Sequence, residues 1–179
     1  MPRFTRDEDA LTTSLYATAG SSFVDSGDVA ELKRISAIDG QSSRYNLHAS
    51  PASSLHSMVI LQPFGAYRKP KKHLGKPKIY HIVDGEMVVV IFEEDGSVRA
   101  AHHLASDKVL VIHVEADCYH TNMALTPQAV YHEVTVGPFE RASADRVFAS
   151  FAPDDSEQER GLEYVREAVA SLRSDIALD

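Results

Sequence analysis

Apolar and polar positions change rhythm twice along the chain. From about Arg6 to Ala37 the spacing is helical. Leu11, Leu15 and Tyr16 share one face behind a capping Asp7, and Gly20-Ser21-Ser22 breaks the run. Asp28 opens a second short segment in which Val29, Leu32 and Ile35 recur every third residue, and Asp39-Gly40 closes it. From Ser43 to about Val136 the rhythm shortens to β-rich runs: Ser57–Leu61, Ile79–Val83, Met87–Phe92, Val98–Leu104, Val109–Val114 and Ala129–Val136. Asp84-Gly85 and Asp95-Gly96 sit between successive runs as hairpin turns. After Ser156, which forms a capping box with Glu159, the residues Leu162, Val165, Val169, Leu172 and Ile176 make one apolar helical stripe.

The pattern predicts a mainly β fold, an antiparallel sandwich or barrel, flanked by helices. We divide the chain into an N-terminal helical flank (1–40), a β domain (41–153) and a C-terminal helix (154–179), one structural domain overall. The C-terminal stripe is expected to pack on its own domain, with a second subunit as the alternative.

Composition narrows the class. With 179 residues, 44% hydrophobic and 25% charged, the chain is an ordinary globular domain. No apolar run approaches the roughly 20 residues of a membrane span. An acidic N-terminus without an apolar stretch is unlike a signal peptide. Cys118 is the one cysteine, which excludes an internal disulfide and a Cys-rich zinc site. These features predict a cytoplasmic protein. A net charge of −8 (18 Lys+Arg against 26 Asp+Glu) opposes binding to a phosphate backbone, so neither nucleic acid nor membrane is expected as a partner.

Two histidine-bearing strings stand out. One runs from Gly65 through Tyr67, Lys71, His73, Lys78, Tyr80 and His81 to Glu86; the other is Glu115-Ala-Asp117-Cys-Tyr119-His120-Thr121. A small antiparallel fold can bring two such strings to one mouth. Together with Arg44-Tyr-Asn46-Leu-His48, Glu133 within Val130–Phe139, and Phe148–Pro153, they give the chain a resemblance to the cupins. Within them it is similar to WbuC-type cupin-fold proteins associated with bacterial O-antigen gene clusters. The resemblance spans about Leu32 to Pro153. It implies a jelly-roll-like β-barrel with an internal pocket, and a homodimer.

Cupins usually hold a divalent metal through His-x-His and Glu of a first motif and His of a second. His73 and His120 match two of these positions, and Lys71 and Lys78 occupy the other two. An ammonium has three donors and no acceptor, and two cations repel a third. We therefore expect no metal cofactor. The alternative is Fe, Mn, Ni or Zn on His73 and His120 with substitutes from His48, His81 or Glu133. Strand alternation sets His81 opposite Lys78 and Tyr80, which makes it a poor substitute.

The reading that remains is a pocket for a small anionic, sugar-like ligand. His73, His120 and Lys78 are the catalytic candidates; Lys71, Tyr80, His48, Tyr67 and Glu133 are the binding candidates. The layout resembles metal-free cupins that isomerise or epimerise keto-sugar nucleotides. It implies an isomerase, epimerase or dehydratase working by proton transfer and linked to surface polysaccharide synthesis. A non-catalytic ligand-binding cupin and a metal-dependent oxygenase or lyase stand as alternatives. Among the plainer expectations, Arg68, Lys69, Lys71, Lys72 and Lys76 form a solvated basic loop. His102 and His103 take surface or edge positions, and a buried Lys78 would need Glu133 or Glu86 as partner.

Overall fold

The computed structural model describes residues 2–18, 20–140 and 145–172. Twelve strands and two helices follow one another among them. The first part holds β1 (Phe4–Arg6), β2 (Ser14–Ala17), α1 (Ser26–Asp39), β3 (Ser43–Asn46), β4 (Leu55–Pro63), β5 (Lys71–His73) and β6 (Lys78–Asp84). The second holds β7 (Met87–Phe92), β8 (Val98–Leu104), β9 (Val111–Val114), β10 (Tyr119–Ala124), β11 (Gln128–Val136), β12 (Arg146–Phe148) and α2 (Gln158–Ala170). One sheet has the order β1-β2-β3-β4-β11-β6-β9 and the other β12-β5-β10-β7-β8. Every named strand pair is antiparallel except β2 with β3.

The two sheets face each other and do not close into a barrel, which corrects the barrel expected above. Their inner faces enclose Met58, Ile60, Ile82, Met87, Val89 and Leu104. The outer faces are covered by helices. Leu32 of α1 packs on Tyr45, Val59, Leu61 and Val130, and Val165 and Val169 of α2 pack on Val88, Val90 and Phe92. β7 therefore buries both faces, which is why its sequence is uninterruptedly apolar where a half-exposed strand would alternate. Each of Val88, Val89 and Val90 is fully buried and contributes about 1.5–3 kcal/mol.

The strand runs predicted from the sequence are present, Met87–Phe92 residue for residue. The N-terminal flank is different. In place of an Asp7-capped helix there is a β1–β2 pair, with β2 running parallel to β3 at the sheet edge. Leu15 joins the cluster under α1, so tertiary packing overrides the short helical spacing. The remaining helix starts earlier than Asp28. Asp25 is its N-cap and accepts from the amides of Gly27 and Asp28, while the Asp28 carboxylate accepts from the Asp25 amide. Gly40 closes it with φ 67°, as the Asp39-Gly40 pair suggested. At the other end, α2 is capped by Glu157 with no side-chain bond, so the Ser156–Glu159 box is not formed. Its stripe lies against the domain's own sheet. Leu172 is exposed, and Ile176 falls outside the described residues.

Candidate functional site

Strand alternation turns a row of polar side chains into the space between the sheets. On β6, Lys78 and Tyr80 are buried and point inward, while Ile79 and His81 are exposed on the outer face. Glu133 of β11 is the cross-strand neighbour of Tyr80. From the opposite sheet, His120 and Asn122 alternate inward on β10, and Lys71 of β5 is the cross-strand neighbour of His120. His73 follows Lys71 on the same face. The His73 and His120 rings lie 6.3 Å apart and the Tyr80 ring lies 6.2 Å from His120. His73 and Lys71 are only partly covered, whereas Lys78, Tyr80, His120 and Glu133 are buried, so the cluster approaches solvent at β5.

The charges are arranged around one carboxylate. Lys78 Nζ donates to Glu133 Oε1 at 2.7 Å, which identifies Glu133 as the partner a buried Lys78 requires. Glu86 is engaged elsewhere, accepting at 2.6 Å from His103, which lies on the edge strand β8 but is buried there. Burial pushes the Glu133 carboxyl up, but attraction to Lys78, its hydrogen bond and the further charge of Lys71 outweigh this and hold it at about 2. Lys71 makes no ion pair within 4 Å among the described residues. Burial, with the positive charges of Lys78 and Arg68, lowers its ammonium to about 7.

The histidines are neutral. Burial first, then the Lys78 charge, lowers His120 to about 4 and His73 to about 3. His120 Nδ1 lies 2.9 Å from the Cys118 carbonyl. In the neutral ring that nitrogen must carry the proton and donate it. Nε2 is then a bare acceptor. The Nε2 atoms of both His120 and His73 are buried without a hydrogen-bond partner.

These shifts set an acid limit on the fold. The unfolded chain binds a proton at each imidazole near pH 6.5, the folded chain only near 4 at His120 and near 3 at His73. Stability is complete above pH 6.5 and is lost as pH falls toward 4, by about 3 kcal/mol for the enclosed His120. His73, being more open, contributes less. Urea midpoints measured between pH 7 and 4.5 should fall in wild type and fall less steeply in His120→Gln, the other buried histidines keeping their share. A flat wild-type profile would contradict the neutral, desolvated histidine.

Not every candidate joins the cluster. Tyr67 packs against α2 on the outer face of the second sheet, with its hydroxyl donating to the Pro153 carbonyl at 2.8 Å. It is a strut for the helix, away from the interior. His48 stacks on His56 at 4.1 Å beside the Ser57 backbone, and burial with the His56 charge lowers it to about 4. It holds the end of β3 against β4. Of the basic loop, Lys69, Lys72 and Lys76 pair with Asp154, Glu94 and Asp145. Arg68 instead turns toward the interior. Its charge acts on Lys71, Tyr80 and Tyr131, its Nη2 donates to Ser42, and its Nε is buried without a partner. Arg68, Asn122 and Gln62 have no motif around them. Strand register could reveal Gln62 on β4 and Asn122 on β10, but Arg68 lies in the segment between β4 and β5, where no register applies.

The donor set does not fit a cupin-type metal centre. Among the described residues no three His, Cys, Asp or Glu side chains are grouped to hold an ion. Glu133 is committed to Lys78, and two amines face the two imidazoles.

Comparison with known proteins bears on the fold. A family model described as a domain of unknown function (DUF6016) matches residues 33–104. No curated protein sequence matches the chain. Among solved structures, the capsular polysaccharide assembling protein CapF of Staphylococcus aureus is similar over 60% of this chain and 32% of its own, at 16% identity and a TM-score of 0.52. This chain thus spans about a third of CapF. Protein SO0799 of Shewanella oneidensis (70% of this chain, 76% of its own, 12% identity, TM-score 0.48) and KdgF of Halomonas sp. (57% and 83%, 19%, 0.44) are more distant. The chain has a cupin fold. No helix among the described residues is long and apolar enough to cross a membrane.

Proposed function

We propose that this cupin domain binds a small anionic, sugar-like carbonyl compound between its sheets and moves a proton on the carbon next to the carbonyl. The observation that carries this reading is His120 Nε2: a buried acceptor, its tautomer fixed by the Cys118 carbonyl, without a partner and facing two lysines. In the reaction the C–H bond breaks and its electron pair forms a C=C bond. The carbonyl π electrons pass to oxygen, and the proton goes to Nε2 of His120, with His73 beside it. Lys78 spends one donor on Glu133 and has two more for the developing oxyanion, and Lys71 adds a third contact. Glu133 and the enolate together offset the positive charge that His120 gains. Protonation of the same carbon on the opposite face gives epimerisation; protonation of the former carbonyl carbon, with an adjacent hydroxyl giving up its proton to become the new carbonyl, gives isomerisation.

The resemblance to WbuC-type cupins and the likeness to a protein named for capsular polysaccharide assembly favour an activated sugar of surface polysaccharide synthesis as substrate, and a cytoplasmic homodimer as the working form. No metal step enters this mechanism. The test is solvent exchange. Keto-sugar nucleotides incubated with the protein in D2O should take up deuterium beside the carbonyl. His120→Gln should slow this by about 10²–10⁴-fold, and Lys71→Met should slow it less. Binding of such a compound without exchange would replace the enzyme with a ligand-binding cupin.

A further inference from the structure

Five buried side-chain atoms lack a hydrogen-bond partner among the described residues: Gln62 Oε1, Arg68 Nε, His73 Nε2, His120 Nε2 and Asn122 Nδ2. They belong to one region. His120 and Asn122 share the inner face of β10. Gln62 stands across from them on β4 and donates through Nε2 to the Asn122 and Ala66 carbonyls. Those two bonds fix the Gln62 amide, so its Oε1 is turned away and bare. Arg68 and Asn122 both act on the Tyr131 hydroxyl, and Tyr131 lies 5.7 Å from Tyr80, which lies against His120. Buried polar atoms are nearly always paired, so five orphans in one interior call for something that pairs them.

Their chemistry is mixed in a definite way. Arg68 Nε and Asn122 Nδ2 can only donate, and the Lys71 amine adds donors with no ion pair of its own among the described residues. His120 Nε2 and Gln62 Oε1 can only accept. A bare oxyanion would satisfy the donors and leave the acceptors empty. A neutral polyol would satisfy the acceptors and leave Arg68, Lys71 and Lys78 with Glu133 as their one anion. One molecule meets both needs if it carries an oxyanion and a hydroxyl.

We propose that the interior takes a small hydroxylated oxyanion. Its anionic oxygens sit on Arg68 Nε, Asn122 Nδ2 and Lys71 Nζ, and a hydroxyl donates to Gln62 Oε1. This rests on the pocket proposed above and deepens it. Arg68 and Asn122 are assigned as the anion clamp, the His120 end is left for the reacting carbon, and the substrate class becomes a hydroxy carboxylate or sugar phosphate.

Titration calorimetry with glucuronate, glucose 1-phosphate, glucose and inorganic phosphate tests it. At least one of the first two should bind about tenfold or more tightly than either glucose or phosphate, and the preferred one tells carboxylate from phosphate. Asn122→Asp should weaken that binding by about 10–100-fold. Arg68→Met, at a partly exposed position, should do the same if the buried aspartate impairs folding. Glucose binding as well as the charged sugars would overturn the inference. So would anionic sugars that bind undiminished in both variants, although the proton-transfer reading would then stand on its own exchange test. Binding by none of the four would mean that water alone fills these atoms and would overturn the inference, while the proton-transfer reading is decided by its exchange test.

Discussion

Glu133→Gln is expected to destabilise the domain more than Lys78→Met does, although the two substitutions break the same ion pair. Removing one partner of a buried pair leaves an uncompensated charge and costs about 3–5 kcal/mol. Here the two partners are not equivalent. Without Glu133, Lys78, Lys71 and Arg68 are left together with no anion among them, and the cost falls in the full range, limited by the proton Lys71 can shed near neutral pH. Without Lys78, the carboxylate still has Lys71, whose ammonium gains affinity for its proton once the like charge of Lys78 is gone. That variant should lose about 1–3 kcal/mol. The double variant Lys78→Met/Glu133→Leu should recover much of the loss. Urea denaturation at pH 7 measures all three. An effect of Lys78→Met as large as that of Glu133→Gln would show that Lys71 does not compensate, and would remove it from the charge cluster.

Gly161→Ala is the second large effect, and it arises far from the charges. Gly161 lies in α2 directly on the ring of Tyr67, and a Cβ there would stand 2.2–2.4 Å from three ring atoms. The ring cannot retreat. Its hydroxyl is bonded to Pro153, its amide to Gln158 Oε1 at 3.0 Å, and Gln158 Nε2 returns to the Tyr67 carbonyl at 3.2 Å. Alanine gains about 1 kcal/mol in helix propensity, but overpacking that lifts α2 from Val88, Val90 and Phe92 costs more. A net loss of about 2–3 kcal/mol should lower Tm by about 5–10 °C. Glu163→Ala, exposed on the same helix, should change it little. An unchanged Tm for Gly161→Ala would mean that the helix docks elsewhere. The same contact explains why Tyr67, which a motif position nominates for the pocket, belongs to the outer layer.

The sheet core was legible because β7 carries an all-apolar run between Asp84-Gly85 and Asp95-Gly96, and β6 and β11 carry largely alternating runs. The hairpin at Gly85 shows why glycine is required there: φ is 74°, and a Cβ would meet the Gln128 carbonyl at 2.4 Å. Half of the candidate site was equally legible. Alternation alone places Lys78 and Tyr80 inward and His81 outward. The shorter strands were not legible. β5 is Lys-Lys-His, with no apolar signal, and it exists because its backbone pairs with β10 and β12. The N-terminal strands had a helical spacing over too few residues to resist edge pairing with β3.

Reading along the chain is enough for the fold class and the inward face of β6, because side-chain periodicity is a local property. Folding is what pairs Glu133 with Lys78 and takes Arg68 from its basic loop into the interior. It also makes Gln62 and Asn122 meet His120 across the two sheets. Hydrogen-bond partnership and desolvation depend on neighbours that lie tens of residues away along the chain, and no short-range pattern encodes them.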